Sequence, residues 1–141
     1  MTKPEPLKPG GHLPAGLPFS EGIAVGDLVF LSGQLGTFPG KLELNNATRE
    51  AEFHQVMDNI VATLAANGMT TKNVVKCLVM LADMKDWQAF NEVYLTYFEA
   101  PYPARSALGA TGLAFGARAE VECIAVQWPV FVVRRGDDDP S

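Results

Sequence analysis

Cysteine is scarce in this chain, histidine equally so, and each shortage closes off a class of chemistry. The two cysteines, Cys77 and Cys123, sit inside apolar stretches and behave there as small hydrophobes. They make neither a disulfide framework nor a zinc ligand set, so no metal site is expected. Positive charge is also in short supply: 11 Lys and Arg stand against 16 Asp and Glu, a formal charge of -5. That balance argues against a nucleic acid or an anionic membrane as partner, since both demand a basic face. Long apolar runs are missing. The densest, at 74–82, is broken by Lys76 and is far too short to span a bilayer. Residues 1–16 hold four prolines and no apolar stretch of the export type, so the expected location is cytoplasmic. Internal repeats and heptads are absent, and Gly109-Ala110-Thr111-Gly112 completes no phosphate-binding loop.

What is present suits one globular domain. A chain of 141 residues, 48% apolar and 19% charged, can bury roughly two thirds of its unfolded surface. We expect an extended Pro/Gly-rich arm at 1–16, a body at 17–134 and an acidic, disordered tail at 135–141. Residues 20–25 and 28–32 read as two strands joined by a Gly26-Asp27 turn. Asn45 or Asn46 is expected to cap a helix running to Asn67, with Gly68 as its stop. Phe53, Val56, Met57, Ile60 and Leu64 keep the three-four spacing of its buried stripe. The run at 74–84 reads as a central strand buried on both faces. Asp86 is a cap candidate for a second helix, whose aromatic stripe reads as core and which Pro101 and Pro103 end. Residues 104–111 and 118–133 supply the last strands. The order β-β-(β)-α-β-α-β-β makes an α/β (α+β) two-layer sandwich, two helices on one face of a four- to six-stranded sheet.

Chemistry concentrates in two places. Arg105, in Pro103-Ala104-Arg105-Ser106-Ala107, can grip a carboxylate with its planar fork. Glu120 and Glu122 lie on what read as a neighbouring strand, where a carboxylate could handle a proton or orient a water. The same residues also fit a plain cross-strand ion pair. Alternation puts Val121, Cys123 and Ala125 under the helices and Glu120, Glu122, Ile124 and Val126 on the uncovered face, which invites self-association. Two carboxylates at i and i+2 raise each other's pKa, and Arg105, if close, opposes this. Gly33, in Ser32-Gly33-Gln34, suits either a close backbone approach or a simple strand end. His54 falls off its helix stripe, and it and His12 read as exposed.

The chain resembles the RidA (YjgF/Rid) family of reactive-intermediate deaminases. The resemblance runs from about Leu17 to Val126 and rests on five segments in order. These are the strand ending in Ser32-Gly33-Gln34, Val74-Val75-Lys76 with Leu81-Ala82-Asp83-Met84, Asn91-Glu92-Val93-Tyr94 with Tyr97-Phe98, Pro103-Ala104-Arg105-Ser106, and Glu120-Val121-Glu122. It implies a chorismate-mutase-like fold with a mixed sheet, assembled as a homotrimer with sites between subunits. It also implies hydrolysis, with no cofactor, of enamine and imine acids such as 2-aminoacrylate and its imine tautomer to 2-oxo acids and ammonia. Arg105 matches the residue that binds the substrate carboxylate, and Glu120 the one that positions and activates water. Ser32, Gly33 and Asn91 match pocket-lining positions. Two positions depart from the family's pattern. Leu17-Pro18-Phe19 stands where Gly-Pro-Tyr is usual, and Ala107 where many members carry cysteine. Both make the pocket more apolar and leave room for a larger imine, such as an aminomuconate-like acid in a dedicated pathway. The competing reading is a non-catalytic, small-carboxylate-binding or chaperone-like trimer. Ribonuclease activity, described for some members, sits poorly with the charge.

Overall fold

The computed structural model describes residues 3–127; the expected tail at 135–141, and residues 128–134 of the expected body, lie outside that range. Three strands come first: β1 (Glu5–Pro6), β2 (Gly22–Val25) and β3 (Leu28–Leu31). Helix α1 (Arg49–Ala66), β4 (Val74–Leu81), α2 (Trp87–Tyr94), β5 (Ala104–Gly109) and β6 (Ala119–Val126) follow. They build one six-stranded sheet in the order β1-β2-β3-β6-β4-β5, with β4 and β5 parallel and every other pair antiparallel. Gly26 takes the positive φ of 61° that the β2–β3 turn requires.

Helix α1 buries the stripe its spacing announces: Phe53, Val56, Met57, Ile60 and Leu64 are all inside. Its cap is Thr48, however, whose Oγ1 accepts from the Ala51 N–H at 3.0 Å. Asn45 instead donates to Gln55, and Gly68 follows the helix end at φ 75°. The second helix is shorter than expected. It ends at Tyr94, well before Pro101 and Pro103. Asp86 makes no cap hydrogen bond, because its carboxylate receives Arg49 at 3.0 Å; Asp83 caps the preceding turn through Lys85 N–H.

Both helices lie on one face. Val29 and Leu31 of β3, Cys77, Val79 and Leu81 of β4, and Val121, Cys123 and Ala125 of β6 join Phe53, Met57 and Phe90 in one buried cluster. Cys77 and Cys123 are free thiols, directly opposed in register with sulfurs 3.1 Å apart. The expectation that β4 is buried on both faces fails. Lys76 is exposed and Leu78 and Met80 are half-buried, because among the described residues no element covers that side. Leu28, Phe30 and Ile124 continue this bare face across β3 and β6.

The N-terminal arm is tied down. Glu5–Pro6 pairs with β2, and the Gly10 N–H donates to the buried Glu21 carboxylate at 2.9 Å. His12 is not exposed, as its sequence context implied, but 2% accessible, with Nε2 2.9 Å from the side-chain oxygen of Gln34. Among the described residues, no helix is long and apolar enough to cross a membrane, and no group of three or more His, Cys, Asp or Glu converges to hold a metal ion.

Candidate active site

Register decides where Arg105 points. It stands opposite Cys77 on β4, and Cys77 belongs to the buried helix-side row. Arg105 therefore rises from β5 toward α2, and its guanidinium carbon lies 5.0 Å from the Trp87 ring and 4.7 Å from the Tyr94 ring. Two aromatic faces hold the cation flat and leave its N–H edge free to engage a planar anion. No carboxylate pairs with it among the described residues. The hollow beside it measures about 340 Å³ and is lined by Asn91, Tyr94, Leu95, Tyr102, Pro103 and Arg105. Asn91 and Tyr94 share one side of α2, three residues apart. Asn91 Oδ1 is buried there without a hydrogen-bond partner. Burial pushes the Tyr94 hydroxyl well above its ordinary pKa, so this wall is neutral.

Glu120 points the other way. Its register partner on β4 is Met80, in the row that the helices leave bare. Between β3 and the loop that follows it, the chain runs close to β6. Gln34 N–H donates to the Val121 carbonyl at 2.8 Å, and Val121 N–H returns a bond to Gln34 at 3.1 Å. This clasp presses Gly33 onto Glu120. A Cβ at Gly33 would overlap the Glu120 carboxylate, so the missing side chain is what makes room for it. Burial, and then the charge of Glu122, raise the Glu120 pKa above the ordinary glutamate value, with no opposing contribution from Arg105. Glu120 sits in a second hollow of about 230 Å³, with Gly33, Phe19 and Phe115 in its wall.

The candidate residues thus fall into two groups. Arg105 and Asn91 share one hollow; Glu120, Gly33 and Phe19 share the other. Ser32 lines neither, and its hydroxyl donates to the Ser20 carbonyl. Ala107 is on the Arg105 side, opposite Val79 and packed against the core. The expectation that Arg105 and the glutamates occupy neighbouring strands is overturned. The β4-α2-β5 crossover is parallel and places β5 outside β4, which leaves the inner edge of β4 for β6. One strand and opposite sheet faces separate the cation from the carboxylate.

Several residues of these walls escaped sequence reasoning. Trp87 belongs to the aromatic stripe that reads as core, yet it is exposed and stacks on Arg105. Leu42 and Phe115 lie in connecting segments that carry no motif, and only the folded chain brings them to Glu120.

With this geometry in place, likeness to known proteins becomes informative. The family model described as Endoribonuclease L-PSP matches residues 11–127. The chain is 42% identical over 113 residues to Reactive Intermediate Deaminase A, chloroplastic, of Arabidopsis thaliana, covering 79% of this chain and 60% of that protein. It is 41% identical over 113 residues to a Capra hircus 2-iminobutanoate/2-iminopropanoate deaminase, covering 80% of this chain and 82% of the relative. The crystal structure of E. coli TdcF with bound serine superposes with a TM-score of 0.81 at 28% identity, covering 88% of this chain and 99% of the other.

Proposed function

The chain belongs to the endoribonuclease L-PSP family, the YjgF/RidA family, and on that premise we propose that it hydrolyses reactive imine acids to 2-oxo acids and ammonia at sites shared between its own copies. The observation that carries this reading is the division of the site. Arg105 holds an unengaged fork in one hollow, and Glu120 a carboxylate of raised pKa in another, on opposite faces of one sheet. A neighbouring copy laid on the bare face would bring its own Arg105 toward this Glu120. Such a head-to-tail contact closes into a ring, and the family resemblance implies that the ring is a homotrimer.

In the assembled site the substrate carboxylate docks on Arg105, with the Asn91 amide oxygen as an acceptor beside it. This leaves the imine carbon facing Glu120. The Glu120 carboxylate accepts a proton from a water molecule as the water oxygen bonds to that carbon and the C=N electron pair moves to nitrogen. That proton passes to nitrogen; Glu120 then takes the hydroxyl proton and delivers it to nitrogen as well, so that the C–N bond breaks, ammonia leaves and the oxygen becomes the carbonyl of the 2-oxo acid. A carboxyl group pushed up from its usual range is better matched to this give and take near neutral pH. The relatives named as 2-iminobutanoate/2-iminopropanoate deaminases, and the bound serine in E. coli TdcF, support an amino- or imino-acid substrate class.

The test is imine hydrolysis with imines made in situ by an amino-acid oxidase and semicarbazide competing for them. Faster 2-oxo-acid release that disappears in Arg105→Ala is expected. No acceleration for any imine, with 2-oxo acids still bound, would replace the deaminase by a ligand-binding module.

A further inference from the structure

The wall of the Glu120 hollow is more apolar than a short imine acid needs. Leu13, Leu17, Phe19, Leu35, Leu42 and Phe115 contribute to it, and its volume of about 230 Å³ far exceeds one methyl group. Three of these side chains are exposed in the free chain: Phe19 at 52%, Leu42 at 46% and Phe115 at 61%. Single exposed apolar residues need no explanation, but three converging around one carboxylate do.

The backbone adds an independent observation. Phe115 is the only described non-glycine residue at positive φ, with φ 61° and ψ 16°. A bulky residue is disfavoured in that region, where glycine would sit without strain. Gly116, at φ 70°, shows that the turn does use glycine one position later. Strain of this kind persists where the side chain's placement matters. Here the ring is retained at the rim of the hollow.

We infer that this hollow receives the side chain of the imine acid, and that the preferred substrates carry a branched or aromatic group, with Phe115 and Leu42 as specificity-determining residues. The inference rests on the deaminase reading and gives it a direction: the carboxylate lies toward Arg105 of a neighbouring copy, the reacting carbon over Glu120, and the side chain runs out between Leu42 and Phe115. An apolar wall rewards each added carbon with a measurable gain in kcat/KM.

The experiment compares kcat/KM for imines generated from leucine, phenylalanine and alanine, using the wild-type protein, Phe115→Gly and Leu42→Ala. Phe115→Gly removes the ring and relieves the backbone, so loss of folding does not confound it. We expect the wild type to favour the two larger imines by about tenfold or more, and Phe115→Gly to lower that ratio about tenfold, with Leu42→Ala acting in the same direction. A wild-type preference for the alanine-derived imine, or a ratio unchanged in both variants, would overturn the assignment. Dissociation of the oligomer by Phe115→Gly, read from its mass in solution, would make the ring a subunit contact and overturn it too. Should the wild type accelerate no imine, the deaminase reading fails by itself. The pocket is then tested by calorimetry, where 4-methyl-2-oxopentanoate must bind at least tenfold tighter than pyruvate.

Discussion

The hollow at Arg105 and the hollow at Glu120 are made in opposite ways. The first is built by addition. Trp87 and Tyr94 flank a guanidinium with ring faces, and the cation is positioned by what surrounds it. The second is built by omission. Gly33 has no side chain where one would collide with Glu120, and the Gln34–Val121 clasp holds that gap against β6. Addition tolerates losses, since either ring can still orient the cation. Omission does not, since one added carbon occupies the place of the functional group.

The largest test of this division is to split it between two chains. Arg105→Ala and Glu120→Gln should each lower kcat/KM by roughly 10²–10⁴-fold. Mixing the two variants by dissociation and reassembly should restore activity at about one quarter of the sites, because a cleft between copies needs one intact residue from each neighbour. No recovery in the reassembled mixture would mean that both residues act from the same copy and would sink the shared cleft. Next comes the contrast between the halves. Gly33→Ala should cost about 100-fold in kcat/KM by displacing the Glu120 carboxylate, with 2-oxo-acid binding retained. Trp87→Ala should raise KM only about 3- to 30-fold, the worth of one cation–π contact. Equal losses, or the reverse order, would break the distinction between addition and omission.

The smallest effect is on stability. The Glu120 pKa is raised in the folded chain, so the folded state holds a proton that the unfolded state has already released. Stability therefore declines as pH rises from the ordinary glutamate value, about 4.3, through the raised one. Glu120→Gln removes that decline. Its Tm should exceed that of the wild type at neutral pH and converge with it toward pH 4; parallel Tm curves would refute the shift.

Legibility in the sequence followed the range of the interaction involved. The stripe of α1 could be read because Phe53 to Leu64 form it within one helix, and the two-faced pattern of β6 because alternation is local. The cap of α1 was misplaced because Asn45, Asn46 and Thr48 are all competent, and only the bond to Ala51 N–H chooses among them. The side on which Arg105 lies was unreadable, since it depends on register with Cys77 across a helical crossover. His12 gave no sign of burial because its partner, Gln34, belongs to a distant loop. Gly33 announced a close approach but not the Glu120 carboxylate that makes it. Nothing in the composition around Phe115 betrays a left-handed backbone.

Cys77 and Cys123 face each other across β4 and β6, in the middle of the sheet and closed off from solvent. They make this protein its own stopwatch. A thiol-specific dye meets neither sulfur until β4 and β6 part, so the pace of labelling in native buffer measures how often the sheet's centre opens. Because that centre also sets the register of Arg105 on one side and Glu120 on the other, a ligand that joins the two hollows should slow the dye as it fills the site.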